Sequence, residues 1–362
     1  MNALLDIAAH HGRFPVGYLL PDDLRPAEEQ GVDFAQLVIA DAWQKRVPGV
    51  DWAKALPALV ADLRPSARYA DAAVLYAYAS NCLVPLAEKS GDAGMVRALR
   101  AQAQGWGRAF DPVTRKLPPK PGMPYGYTLY EGGPWNYSFV VWHDMAGLVG
   151  LYPSRDAFVQ ELDRFFGYAG EAGADLPFEG LNNQSDMEVP YAYLYAGRPD
   201  RTQEVVHAIR KYRFATGRGG WPGNDDSGGL SSWYVWNALG LFPVVGSDRY
   251  LIGTPQFPRA TLAVAGKTFV IEAPGVSPEA FYVQSAELDG RPLDRTYLRF
   301  EELARGGRLV LHMGPKPGNW GRRPSAAVKE RTSDIRSSQR QVTMPAFCPL
   351  ICRSLLAGDS AP

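Results

Sequence analysis

The densest concentration of glycine, aromatic and carboxylate groups in this chain lies between Gly219 and Tyr234, which reads Gly-Gly-Trp-Pro-Gly-Asn-Asp-Asp-Ser-Gly-Gly-Leu-Ser-Ser-Trp-Tyr. Glycines on either side of Asn224, Asp225 and Asp226 describe a turn that holds two adjacent carboxylates at the start of the helix-like run to Leu241. Such carboxylates can simply cap the helix. Alternatively, the helix dipole keeps one of them ionised, as a general base requires. A second cluster runs from Glu179 to Glu188, where Asn182, Asn183, Gln184, Asp186 and Glu188 fall within seven positions. These side chains can bind sugar hydroxyls, supply hard oxygen ligands to calcium, or form an ordinary polar loop. The third cluster is Tyr130-Glu-Gly-Gly-Pro-Trp-Asn-Tyr-Ser-Phe-Val-Val-Trp-His-Asp144. Here Trp135, Asn136 and Tyr137 open a predicted helix whose next turns carry His143 and Asp144, and His143 reads either as a ligand contact or as a satisfied core histidine.

These clusters need a scaffold, and the first two thirds of the chain read as helices. Phe34, Leu37, Val38, Ala42 and Trp43 recur at three-to-four spacing, as do Ala72, Leu75, Tyr76, Leu83 and Leu86, and then Phe139, Val140, His143, Met145 and Leu148. Pro48-Gly49, Pro65, Ser90-Gly91 and Gly170 to Gly173 punctuate them. Successive helices of about 12 to 20 residues without intervening strands predict an array of helical hairpins, either a solenoid or an α/α toroid. From about Tyr250 the pattern alternates: Thr261–Ala265, Lys267–Glu272, Phe281–Ala286 and Arg308–His312, with turns at Ala265-Gly266 and Asp289-Gly290, predict a small antiparallel β unit. The expected organisation is a helical domain over 1–248, a β unit over 249–321 and a disordered tail over 322–362. Positions 322–340 of that tail hold six basic and two acidic residues with almost no apolar periodicity.

Composition narrows the partners. Lys plus Arg and Asp plus Glu both number 38, a formal net charge of zero, which removes the basic footprint of a dedicated nucleic-acid binder. Nine Trp and eighteen Tyr suit an aromatic-lined sugar cleft as well as an ordinary core. Cys82, Cys348 and Cys352 form no disulfide framework or zinc motif. The longest charge-free apolar stretch, Ala72 to Ala87, contains Ser80, Asn81 and Pro85 and falls short of the about 20 residues that span a bilayer. No signal peptide is visible at the N-terminus, which reads as mid-helix.

Taken together and in order, Glu131-Gly-Gly-Pro-Trp-Asn-Tyr137, Asn182-Asn-Gln-Ser-Asp-Met-Glu-Val-Pro-Tyr-Ala-Tyr193 and Gly223-Asn-Asp-Asp-Ser-Gly-Gly-Leu-Ser-Ser-Trp-Tyr234 resemble the exo-acting α-mannosidases of glycoside hydrolase family 92. Ile252-Gly-Thr-Pro-Gln-Phe257 and Met313–Trp320 extend the resemblance, which covers about Leu4 to Trp320. It implies a mainly α fold, part of an (α/α)6 toroid followed by the β unit. It further implies inverting, calcium-assisted cleavage of α-linked mannose from a mannose-containing glycan or mannosyl phosphate. Asp226 matches the family's base, with Asn224 or Asp225 in support, and the position matching the family's acid is Gln184. Trp135, Asn136, Asn183, Glu131 and His143 are the expected substrate contacts, and Asn182, Asp186 and Glu188 the expected calcium ligands.

Gln184 departs from the pattern in a way that bears on substrate. A glutamine amide donates no catalytic proton, so an ordinary sugar leaving group should depart about 10²- to 10⁴-fold more slowly. A phosphate leaves as a stable anion and needs no acid, which points to mannose-α-1-phosphate linkages. Family members are longer than this chain, and their N-terminal β-sandwich has no match here. A catalytically inactive mannose-binding fragment, or one without function, is therefore the other expectation. Complete relatives of this kind are expected to be secreted or periplasmic.

Overall fold

The computed structural model describes residues 1–15, 34–63, 72–119, 129, 132–167, 181, 183–226 and 228–322. The expected breaks at Pro65 and Gly170–Gly173, and the tail beyond Arg322, lie outside the described residues.

Helices begin where short polar side chains can close their first turn. After α1 (Asn2–His11) and α2 (Phe34–Gln44), Asp51 caps α3 (Trp52–Ala61) by accepting from the Lys54 amide. Asp92 likewise accepts from Met95 at the start of α5 (Ala93–Ala103), which follows α4 (Ala72–Ser90). A 3-10 turn, Gln104–Ala109, leads toward the short α6 (Pro134–Tyr137); Asp144 caps α7 (Met145–Gly150) and Ser154 caps α8 (Arg155–Phe165). Two further 3-10 segments, Gln184–Asp186 and Val189–Ala196, precede α9 (Pro199–Tyr212) and α10 (Gly229–Ala238).

The helical stripes differ from the sequence expectation in three places. In α2 the buried side is Gln36, Leu37, Ile39, Ala40 and Ala42, leaving Phe34 and Val38 exposed. The α4 helix is buried around most of its circumference, through Val74, Ala77, Tyr78, Cys82, Leu83 and Leu86, because α2, α3 and α5 all pack on it. A helix covered on several sides loses its amphipathic stripe. The run from Phe139 to Leu148 is not one helix: α6 ends at Tyr137 and α7 starts at Met145. Within the break, Phe139 and Val141 point into the core, while Asp144 accepts from both the Gly147 amide at 2.9 Å and the Trp106 indole at 3.1 Å.

Strands follow: β1 (Leu241–Pro243), β2 (Arg249–Ile252), β3 (Arg259–Val264), β4 (Lys267–Glu272), β5 (Tyr282–Leu288), β6 (Arg291–Pro292), β7 (Tyr297–Arg299) and, after α11 (Phe300–Ala304), β8 (Gly307–Gly314). The first sheet is β1-β2-β7 and antiparallel, the second β3-β4-β8-β5-β6. The second sheet is mixed rather than antiparallel, because the chain returns through β7 and α11 and inserts β8 parallel to β4. Both predicted hairpin turns form, with positive φ at Ala265 and Gly266 and again at Asp289 and Gly290, as the tight primed turn between twisted strands requires.

Two apolar cores result, one among the helices and one against the second sheet. Strands β1 and β2 divide their side chains between them: Phe242 and Leu251 enter the helical core, while Leu241, Tyr250 and Ile252 enter the other. Trp236 of α10 packs on both. The Tyr282 hydroxyl donates to Glu204 at 2.7 Å and the Val283 amide to Gln203 at 3.2 Å, tying β5 to α9. No helix among the described residues is long and apolar enough to cross a membrane.

Candidate active site

The structure separates the two adjacent aspartates. Asp225 accepts from the Ser231 amide at 2.8 Å and from the Ser231 hydroxyl at 2.7 Å, and those bonds hold its carboxyl below the usual range. Its backbone carbonyl also receives the Gly229 amide at 2.5 Å. Asp225 therefore closes the first turn of α10, a task made possible by Gly228, whose φ of 91° few other residues adopt. Asp226 is placed differently. Its φ of 38° lies in the left-handed region, and its side chain is exposed. Non-glycine residues held there cost about 1 to 3 kcal/mol and cluster at functional sites.

The carboxylate of Asp226 meets Gln184, whose side-chain amide donates to Oδ2. Gln184 opens the 3-10 turn Gln184–Asp186, where the preceding Asn183 side chain accepts from the Gln184 amide at 2.9 Å. The two sequence clusters, 42 positions apart, thus converge. Behind this contact the frame is buried. The Trp233 indole donates to the Met187 carbonyl at 2.8 Å, and the Tyr191 hydroxyl donates to Asn237 Oδ1 at 2.7 Å. Asn237 in turn donates to the Trp233 carbonyl at 2.8 Å and its own carbonyl accepts from Arg210 of α9 at 2.6 Å. Sequence reading assigned no role to Trp233, Tyr191 or Asn237; the four-residue spacing of Trp233 and Asn237 on one helix was the available signal.

The third cluster joins through Asn136. Its side chain accepts from the Gly133 amide at 3.0 Å and donates to Asp186 Oδ1 at 3.0 Å, fastening the start of α6 to the turn that carries Gln184. Trp135 is 37% exposed; the Lys116 ammonium lies over its ring at 4.2 Å, and Phe165 stacks on it at 6.2 Å. Asn224 is exposed beside the aspartates. His143 is held in packing: its Nε2 lies 3.0 Å from the Ala103 carbonyl, its ring stacks on Tyr78, and burial pushes it down to about 4, so it is neutral near pH 7. Glu131 and Asn182 lie outside the described residues.

Of the expected calcium ligands, Asp186 is fully buried. Glu188 Oε2 is buried with no hydrogen-bond partner, and burial raises this carboxyl to about 8. Among the described residues no three His, Cys, Asp or Glu side chains gather as a metal-binding group.

The family profile described as the glycosyl hydrolase family 92 catalytic domain matches residues 64–315. An "uncharacterized secreted glycosidase" from Arthroderma benhamiae is 33% identical over 196 residues, covering 53% of this chain and 24% of that protein. Among solved structures, the family GH92 alpha-mannosidase of Bacteroides thetaiotaomicron superposes with a TM-score of 0.70 at 25% identity, covering 79% of this chain and 42% of that one. A family GH92 inverting mannosidase from the same bacterium shares the fold, with a TM-score of 0.76 at 24% identity over 89% of this chain and 51% of that one. The chain thus spans between about a quarter and about half the length of these relatives.

Proposed function

This chain belongs to glycosyl hydrolase family 92, and from that premise we propose that it hydrolyses α-linked mannose by a single inverting displacement with Asp226 as general base. The observation that carries the reading is the convergence of Gln184 and Asp226, with Asp225 committed to the helix and Asp226 held free of it. In an inverting reaction the base activates a water on one face of the sugar while the leaving group departs from the other, with the two catalytic groups about 6.5 to 9.5 Å apart. Gln184 and Asp226 touch directly, which leaves no place for that water. Both side chains are exposed, so rotation of the Gln184 side chain opens the gap as substrate enters.

Position 184 then bears on the leaving group. Its amide can donate a hydrogen bond to a phosphoryl oxygen without repelling it, which favours a mannose-α-1-phosphate linkage. A second reading is supported by the Asn136–Asp186 bond, which draws the segment beginning at Gly132 toward the same turn. Glu131 is the adjoining carboxyl in the chain, and a proton from it would allow departure of an ordinary sugar. Hard oxygens suited to calcium are those of Glu188, with its buried unpaired Oε2, and of Asp186; neutral oxygens would complete such a shell. Bound there, calcium would supply positive charge to orient sugar hydroxyls. The secreted relative supports a location outside the cytoplasm.

One experiment separates these readings. Mannose-α-1-phospho-6-mannose and α-1,2-mannobiose are offered to the wild type and to Glu131→Gln, with the anomer first released followed by proton NMR. The phosphate reading expects turnover of the phosphodiester alone, unaffected by Glu131→Gln. Mannobiose cleavage that falls about 10²-fold or more in Glu131→Gln establishes the second. Release of α-mannose first overturns inversion. Mannoside binding with no mannose released, unchanged in Asp226→Ala, identifies a non-catalytic binding module.

A further inference from the structure

The groups proposed to do the chemistry are both exposed and sit on segments far apart in sequence, so their mutual contact is too weak to set their separation. Exposed side chains exchange such contacts with water at little net free energy. What fixes the separation must lie behind them, and one residue meets every part of that backing. Trp233 is 1% exposed. Its indole N–H donates to the carbonyl of Met187, the residue that closes the Gln184 turn by returning its amide to the Gln184 carbonyl at 3.3 Å. Its own carbonyl accepts from Asn237, which also receives Tyr191, so the same helix is tied twice to the segment running from Gln184. Its ring lies parallel to Phe214, 3° and 5.7 Å away, and Phe214 leads into the loop that carries the aspartates. The close approach is completed at Gly229, where a Cβ would come within 2.9 Å of the Met187 methyl.

We propose that Trp233 is a positioning residue: its indole bond to Met187 sets the distance between the Gln184 turn and Asp226, and with it the geometry of water attack. This rests on the hydrolase reading above. A buried donor–acceptor pair is the right device, because a displacement of about 1 Å in a catalytic group can lower the rate about 10²-fold while contacts to the bound sugar survive. Tyr191 and Asn237 form the second tie, one helical turn further along α10, and prevent rotation about the first.

The test is Trp233→Phe, which keeps an aromatic ring against Phe214 and removes the donor, alongside Phe214→Leu, which removes the stacking partner and keeps the donor. Measured well below the melting temperature, Trp233→Phe should lower kcat about 10-fold or more with KM within about twofold, the signature of an interaction felt in the transition state. Phe214→Leu should lower the melting temperature and leave kcat within about twofold. Hydrogen exchange supplies a readout independent of turnover: amides of residues 184–188 and 225–231 should exchange faster together in Trp233→Phe. Unchanged exchange in both segments, or a raised KM with unchanged kcat, overturns the positioning role. If the wild type releases no mannose, the hydrolase reading fails on its own and the exchange result still decides the clamp. If Trp233→Phe does not fold, Tyr191→Phe tests the partner tie by the same measurements.

Discussion

Replacing Glu188 with glutamine should change how stability depends on pH. In the metal-free protein, burial raises the Glu188 carboxyl from 4.5 to about 8, and its Oε2 has no hydrogen-bond partner to offset that burial. The folded chain therefore keeps a proton that the unfolded chain releases above about pH 4.5. Because the folded state binds more protons, stability falls as pH rises, beginning near 4.5 and levelling off near 8. The slope approaches about 1.4 kcal/mol per pH unit and halves near pH 8, so the loss between pH 6.5 and 8 is about 1.6 kcal/mol. That interval is the useful one. His143 and His207 are both lowered by burial from 6.5 to about 4, so their contribution is complete above 6.5 and is lost as pH falls toward 4, opposite in sign to that of Glu188. Urea unfolding in the presence of a chelator should show the wild type losing stability from pH 6.5 to 8 and Glu188→Gln holding level. Parallel curves for the two proteins would refute the buried, protonated carboxyl. Calcium adds a second check: if Glu188 ligates it, the cation displaces the proton and the wild-type slope flattens when the chelator is replaced by calcium.

Other outcomes follow from the geometry. Asp225→Ala should lower the melting temperature by releasing Ser231 and the start of α10, whereas Asp226→Asn should leave the melt unchanged and lower kcat about 10²- to 10⁴-fold. Gly220→Ala would place a Cβ 2.1 Å from the Ala215 backbone carbonyl, so the turn before the aspartates must open; chemical denaturation should show about 1 to 3 kcal/mol of destabilisation.

Much of this was legible because periodicity reports burial directly. Strands β3, β4, β5 and β8 fall where alternation places them, and both hairpin turns fall where Ala-Gly and Asp-Gly stand. The helical stripes were less exact for a physical reason. A three-to-four pattern predicts one buried face, and α4 has several because three helices surround it. The break at 138–144 was hidden for the converse reason: Phe139, Val141 and Trp142 are buried there, so an irregular segment in the core carries the same apolar signal as a helix. Parallel pairing of β4 and β8 depends on where a distant strand inserts, which local alternation does not encode.

For the site, residue types marked segments that the fold brings together but could not divide the work within them. Capping and catalysis were alternative readings of one Asp-Asp pair, and the structure assigns the capping to Asp225 while Asp226 faces Gln184. What separates them is the left-handed φ at Asp226, a backbone property that two identical neighbouring side chains do not report. Asn136 makes the same point from the other side. Expected at the substrate, it fastens α6 to the Gln184 turn through Asp186, so an amide that looks suited to a sugar hydroxyl already serves the frame. Exposed groups at such a site can be exchanged with modest effect on folding, while the buried bonds of Trp233, Tyr191 and Asn237 determine whether those groups meet at all. Attention confined to polar, exposed positions would therefore reach the proposed reacting groups and miss the buried residues behind them.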